Sequence, residues 1–437
     1  SVVGRGAGRW PSAISGVVVI QRIVAFAMGM GLFVPPRCRP SGLSDHRGGT
    51  APNGRPPIGR GSTDTLWPRP AVGQRGRLLV SKVRRARGPG RVNLIGDHTD
   101  YNQGVALPMA IGLGAEVSFT ASADPVIVVE STAFPERVSV PLDTDPLDTV
   151  PLDLTPPGNR PAIEVAATGP AWSRLISAMI ALCRPPSGGI LRIESTVPVG
   201  SGLSSSAAVA VAVCEVLTSR WPTEKVARTC QQAEHLIGVP VGIMDPLVCA
   251  GGRAGRALLI DFSTLSSHEV VLPREVEVIV VDSGVPRTLA ASGYAARVAE
   301  CRSAAQVIGP LGLASEGAVG RLGDPLLQRR ARHVISECRR TRQCAVALNE
   351  GHLEVAGELM VESHQSLARD FEVSTLLLDQ LVETLVGLPG VLGARMTGAG
   401  FGGTVVVLAR RGAVDLAAIP GRVWPVEPVD GTVAARR

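Results

Sequence analysis

At 437 residues and 45.4 kDa the chain exceeds what one hydrophobic core ordinarily serves, so two domains are expected. The hydrophobic fraction is 45% but only 3% is aromatic, so Val, Leu, Ile and Ala must fill the cores. Lys and Arg number 44 against 38 Asp and Glu, a formal charge of +6. Much of that surplus sits in residues 1–90, in runs such as Arg84-Arg85-Ala86-Arg87, and at Arg436-Arg437. A charge placed there, rather than along the remainder of the chain, argues against nucleic acid as a partner.

The first 75 residues are rich in Gly, Pro, Arg and Ser and carry no sustained periodicity. Such a segment buries too little apolar surface to offset its chain entropy, and is expected to be a disordered or mis-started extension. Within it, Ile14–Val34 is apolar but interrupted by Gln21-Arg22 and several glycines, which makes a poor membrane span. No small-residue cleavage site marks a signal peptide. The eight cysteines (Cys38, Cys183, Cys214, Cys230, Cys249, Cys301, Cys338 and Cys344) form no CxxC pair. Reduced, buried thiols of a cytoplasmic protein are expected, without disulfides, zinc or a membrane partner.

From about Leu78 short β-branched runs alternate with helical patterns. Strands are expected at Val126–Val129, Ile190–Ile193, Ala257–Ile260, Val276–Val281 and Thr404–Leu408. Helices are expected at Trp172–Leu182, Ser205–Leu217, Pro222–Leu236, Tyr294–Val307, Leu326–Leu348 and Leu376–Gly387. The interleaving indicates an α+β or α/β enzyme. A helix-rich second half suggests one domain over 76–270 and another over 271–437.

Four segments carry chemistry. The first, Gly90–Gly104 (GRVNLIGDHTDYNQG), packs Asp97, His98 and Asp100 between glycines. These are acceptors and a ring suited to a polyhydroxylated ligand, although Gly, Asp and Asn equally suit a solvated turn. A catalytic metal rarely uses so dense a spacing. The second, Gly200-Ser201-Gly202-Leu203-Ser204-Ser205-Ser206, follows one expected strand and opens a helix. Its glycines let backbone approach a ligand, and the helix N-terminus points positive potential at an anion. That suits a triphosphate, yet it is no Walker loop, and serine N-caps on a turn would look the same. The third, Gly242-Ile243-Met244-Asp245-Pro246, holds a lone acid in an apolar frame. A buried carboxylate must be paired or functional, whereas an exposed one here would cap a helix. Upstream, Glu234 offers an oxygen ligand for magnesium or is an ordinary helical Glu. The fourth, Met396–Gly403 (MTGAGFGG), precedes a strand, so it is not the dinucleotide fingerprint; alone it reads as a tight turn.

In this order and at these separations, the four segments resemble the GHMP kinases and, within them, the galactokinases. Trp172, Ser292-Gly293-Tyr294, Arg330–Val334 and Met360-Val361-Glu362-Ser363-His364 extend the likeness from about Val80 toward the C-terminus. The resemblance implies a two-lobed fold, with a mixed-sheet N-terminal lobe, a ferredoxin-like C-terminal lobe and the site in the cleft between them. It implies ATP and galactose as small-molecule substrates, Mg2+ as cofactor and a monomer. Asp97, His98, Thr99, Asp100, Gly242 and Tyr294 would contact the sugar. Gly200, Ser201, Gly202, Leu203, Ser204, Ser205 and Ser206 would hold ATP, with Ser206 and Glu234 on the metal. Asp245 would take the proton from the C1 hydroxyl, and Arg91 would orient that oxygen and steady the moving phosphoryl group.

Asp97 stands where the family usually has Glu, and Pro246 where Gln usually follows the catalytic Asp. The stretch from Glu234 to Asp245 is also a residue shorter than common. A kinase for another sugar such as N-acetylgalactosamine is one alternative, and a non-catalytic galactose- and ATP-binding regulator is another. The galactose-like His98-Thr99-Asp100-Tyr101-Asn102, with Gly202–Ala207 and Asp245 all present, favours the enzyme.

Overall fold

The computed structural model describes residues 83–142, 169–198, 201–218, 220–239, 241–285 and 290–433; the expected extension over 1–75 lies outside them. Strand β1 (Arg84–Asn93) carries the first motif inward, becoming buried from Gly88 onward. A two-residue strand β2 (Val105–Ala106) then leads to the long β3 (Pro108–Ala121), which pairs antiparallel with β1. Strands β4 (Val126–Ser131), β5 (Phe134–Pro141) and β6 (Gly189–Ser195) complete a five-stranded sheet in the order β1-β3-β6-β4-β5. Only β4 and β6 run parallel in it, so the sheet is mixed.

Helices α1 (Arg174–Cys183), α2 (Ser205–Leu217), α3 (Thr223–Leu236) and α4 (Met244–Gly251) pack with this sheet around Phe119, Ile127, Met179 and Val211. Helix α2 is apolar nearly all round, as a helix buried between sheet and helices must be. It lies tight against β1. A Cβ on Gly88 would stand 1.9 Å from the Ala208 carbonyl oxygen, and one on Gly90 would stand 2.6 Å from that of Leu203. Those two glycines bring β1 onto the first turn of α2, where the second motif sits.

A small sheet of β2, β7 (Arg256–Asp261) and β8 (Ser266–Val271) follows. After it, β9 (Val276–Asp282), β10 (Val391–Thr397), β11 (Thr404–Arg410) and β12 (Val423–Val426) form an antiparallel sheet in the order β10-β11-β9-β12. This is the ferredoxin-like order, with its second crossover reduced to the short turn Leu416–Ala418. Helices α5 (Ala290–Ile308), α6 (Pro325–Glu350), α7 (Leu353–Arg369) and α8 (Leu376–Val386) fill the first crossover. Asp324 caps α6 through the Leu326 amide, with Pro325 at its start, and Gly351 at φ 76° ends it. A core of Ile279, Val334, Phe371 and Leu378 serves this lobe. A further cluster joins Val92, Leu94 and Met109 of the first lobe to Val280, Leu348 and Val406 of the second. The last described residues return to the first lobe: Val429 donates to the Ala110 oxygen and Gly431 to that of Gly252.

Every strand and helix expected above is present. The expected elements leave out β1, β2, β3, β5, β8, β10 and β12 and helices α4 and α7; β3 and α7 show two different reasons. In β3, Gly112 and Gly114 dilute the β-branched signal, yet a Cβ on Gly114 would come within 2.5 Å of the Gly88 oxygen. Glycine is what permits this close strand pairing. In α7, the polar run Glu362-Ser363-His364 interrupts the apolar helical period. Seven cysteines are buried and form no disulfide with one another, and Cys38 lies outside the described residues. Among the described residues no helix is long and apolar enough to cross a membrane.

Candidate active site

Arg91 sits near the end of β1, and Asp245 in the first turn of α4. The guanidinium Nε and Nη2 each donate to one Asp245 oxygen at 2.7 Å, a forked pair that fixes both groups in one plane. Nη1 of Arg91 donates to the Gly202 carbonyl at 2.6 Å, tying the pair to the glycine-serine loop. Ser204 adds a hydroxyl bond to Asp245 Oδ2 at 2.5 Å. Three of the motifs thus meet on one carboxylate. Arg91 is buried, while 34% of the Asp245 side chain is exposed, enough for a substrate to reach it.

This arrangement excludes the helix-capping alternatives the sequence left open. Helix α4 begins with no side-chain cap, and the Asp245 carboxylate is spent on Arg91 and Ser204. Ser204 likewise does not cap α2; it stands at φ 59°, a left-handed conformation unusual for a non-glycine residue, and aims its hydroxyl at Asp245. Gly202 turns at φ 77°. Leu203 is buried and its oxygen accepts from the Arg91 amide, and Ser201 binds back to Pro198. Ser205 and Ser206 open α2, with Ser206 exposed. Gly200 lies outside the described residues.

Glu234 of α3 faces Ser206 and accepts a hydrogen bond from it. Both line a small cavity of about 30 Å³ that Asp245 also borders. Burial, with added repulsion from Asp245, raises the Glu234 carboxyl to about 7, against the opposing pull of the Ser206 bond. Among the described residues no cluster of three or more His, Cys, Asp or Glu side chains converges to hold a metal unaided. One hydroxyl and one carboxylate, however, fit a magnesium ion that draws its other oxygens from nucleotide phosphates and water.

Beyond the pair lies an aromatic cluster. The His98 ring packs 4.6 Å from Phe371 and 5.7 Å from Tyr294, and its Nδ1 lies 2.9 Å from the Tyr101 hydroxyl. Burial lowers its pKa to about 4, so His98 is neutral. Asp100 begins a short turn over Asp100–Asn102. Its carboxyl is raised to about 7 by burial and then by the nearby Asp245 charge. Gly242 leaves room for it: a Cβ there would stand 1.5 Å from Asp100 Oδ2. Asp100, Gly242 and Asp245 are therefore neighbours, and His98 and Tyr294 share one aromatic contact.

Two residues expected on the sugar are engaged elsewhere. Thr99 is fully buried, and its hydroxyl reaches the carbonyls of Gly96 and Val105 at 2.8 Å each, bracing its own loop. Asp97 is 2% exposed. Its Oδ2 takes Nη2 of Arg395 at 2.5 Å and its Oδ1 takes the Gly398 amide at 3.1 Å. The fourth motif is accordingly more than a turn; it docks on the first. Arg395 also donates to the Asn93 and Leu94 carbonyls, and Thr397 to that of Asn93. The sequence reading missed Arg395, Glu337, His333 and Phe371. All four sit in regions of family likeness or beside them, but no local pattern sets them apart from ordinary helix and strand residues.

The comparisons with known proteins agree with this geometry. Residues 81–120 match a family model for the galactokinase galactose-binding signature. Residues 173–253 and 344–418 match the N-terminal and C-terminal domains of GHMP kinases. The galactokinase of Homo sapiens is 39% identical over 346 residues, covering 74% of this chain and 83% of that protein. That of Chloroflexus aggregans is 41% identical over 352 residues, covering 76% and 85%. In structure, Lactococcus lactis galactokinase complexed with galactose superposes with a TM-score of 0.72 at 30% identity, covering 81% of this chain and 95% of that one. Methanococcus jannaschii mevalonate kinase, at 17% identity and a TM-score of 0.56, shares the fold. The chain belongs to the galactokinase family of GHMP kinases.

Proposed function

We propose that this sugar kinase transfers the γ-phosphoryl group of ATP to the C1 hydroxyl of α-D-galactose, giving galactose 1-phosphate and ADP. The observation that carries the reading is the Arg91–Asp245 pair tied to the glycine-serine loop through Gly202 and Ser204. It brings a proton acceptor, a fixed positive charge and a phosphate-binding helix terminus to one point. Phosphoryl transfer asks for little more than positioning and electrostatic stabilisation.

In this reading His98, Asp100, Gly242 and Tyr294 seat the sugar, with Thr99 and Asp97 holding the loop from behind. The C1 hydroxyl lies against Asp245, which accepts its proton as the C1 oxygen bonds to the γ-phosphorus. The bond from that phosphorus to the β,γ-bridging oxygen breaks, and its electron pair leaves with ADP. Arg91 stays charged throughout and faces the developing charge. Ser201 to Ser206, together with Gly200, receive the triphosphate at the N-terminus of α2. Ser206 and Glu234 would hold Mg2+, which when bound neutralises charge on the β- and γ-phosphates. The lobes divide near residue 270, with 76–270 in the first and 271 onward in the second, except that residues 429–433 pack back on the first.

A coupled ATP assay with Mg2+ and galactose, glucose, N-acetylgalactosamine or mevalonate side by side tests this. Galactose is expected to give the highest kcat/KM. A higher value for N-acetylgalactosamine would reassign the substrate, and no turnover of any of them would remove the kinase reading.

A further inference from the structure

The sugar-binding loop belongs to the first lobe, yet its backbone is held by the second. Glu337, fully buried on α6, accepts from the Gly96 amide at 3.0 Å and from the Ser363 hydroxyl of α7 at 2.5 Å through Oε1. Its Oε2 takes two bonds from Arg340, at 3.0 and 2.8 Å. Despite burial, the Arg340 guanidinium holds the Glu337 carboxyl down at about 2, so it stays ionised. One turn earlier on α6, His333 bridges Ser366 and the loop. Its Nε2 lies 3.3 Å from the Asp97 carbonyl and its Nδ1 2.9 Å from the Ser366 hydroxyl. A carbonyl can only accept, so the proton is on Nε2 and Nδ1 accepts from Ser366. The His333 ring packs 4.5 Å from Phe371, the same ring that backs His98.

The turn at Gly96 is one that only glycine can make. Gly96 stands at φ +101°, and a Cβ there would come within 2.6 Å of Ala106 Cα. The next residues, Asp97 and His98, inherit their direction from that turn, and His98 is itself at φ 64°. A charge-assisted bond to the Gly96 amide and a second bond to the Asp97 carbonyl fix this strained stretch from outside.

We propose that Glu337 and His333 are positioning residues: they set the backbone of Gly96 and Asp97 so that His98 and Asp100 meet the sugar, and neither touches substrate. The inference rests on the proposed sugar site but carries its own readout. Hydrogen exchange of the peptide 94–104, without ligand, follows the loop independently of turnover.

The test compares wild type with Glu337→Gln and Ser363→Ala for exchange of that peptide, galactose KM, ATP KM, kcat and melting temperature. Glu337→Gln is expected to raise loop exchange and galactose KM about tenfold, the usual consequence of losing a buried charge-assisted bond. ATP KM should stay within about twofold, because the glycine-serine loop is anchored by Arg91 instead. Ser363→Ala, which leaves the Arg340 pair in place, should move the same two quantities about threefold in the same direction, and it carries the test if Glu337→Gln does not fold. Unchanged loop exchange and galactose KM in the folded variants would overturn the proposal, as would equal rises in both KM values. If wild type turns over no sugar, the functional reading fails while loop exchange still decides the positioning role.

Discussion

The Arg91 guanidinium and the Asp245 carboxylate, 154 residues apart in the chain, meet in a two-bond fork 2.7 Å long on both sides. Neither group is isolated, since Gly202 holds the arginine and Ser204 holds the aspartate. The Asp245 carboxylate is thus oriented before any substrate arrives, which suits the proton acceptor proposed for it.

Replacing Asp245 by Asn keeps the shape but removes the proposed proton acceptor. Turnover with galactose is expected to fall about a thousandfold, within the range of general-base contributions. Galactose binding, followed by calorimetry, should change little. Arg91→Lys keeps the charge but loses the fork, and kcat should fall about a hundredfold with folding retained. Turnover near the wild-type rate in Asp245→Asn would remove it from the mechanism.

Gly242 is a matter of space. A Cβ 1.5 Å from Asp100 Oδ2 cannot coexist with the present position of that carboxylate. Gly242→Ala should displace Asp100 and raise galactose KM by at least about tenfold. ATP KM should hold. Initial-rate kinetics with each substrate varied in turn will show whether the damage is confined to the sugar.

Asp97 and Arg395 form a fully buried pair, 2% and 0% exposed. Asp97→Asn leaves the Arg395 charge buried without its carboxylate, which costs about 3 kcal/mol or more. The denaturant midpoint should drop accordingly. A midpoint within error of wild type would mean that Arg395 finds another partner.

Asp100 and Glu234 both have carboxyls raised to about 7, chiefly by burial. The ligand-free fold therefore holds these protons more tightly than the unfolded chain does. Their contribution to stability is full at low pH, declines as pH rises from about 4 through 7, and is flat above. Asp100→Asn removes one of these titrations. It should melt higher than wild type at pH 8, with the difference shrinking toward pH 5.5. Chelating Mg2+ with EDTA should stop turnover. Glu234→Gln should raise the Mg2+ concentration needed for half-maximal rate, most visibly above pH 7, where the wild-type carboxylate is ionised.

Much of this was open to reading in the chain. Helix α2 spans Ser205–Leu217, as its apolar run predicts. Gly202 turns at φ 77° directly before α2, as the glycine-serine spacing leads one to expect. Such features are local: periodicity, helix starts and tolerance for close backbone approach depend on residues within a few positions of each other.

Thr99 shows where that reading stops. It stands among polar residues suited to a sugar, but its hydroxyl turns to Gly96 and Val105 inside the loop. Asp97 shows it more sharply, since its partner lies 298 residues onward. Propensity and spacing determined which segments this protein would use and what kind of element each would become. Packing of the second lobe decided which acids face the cleft and which face Arg395. A buried carboxylate goes wherever a donor meets it in three dimensions, and no neighbour in the chain can specify that.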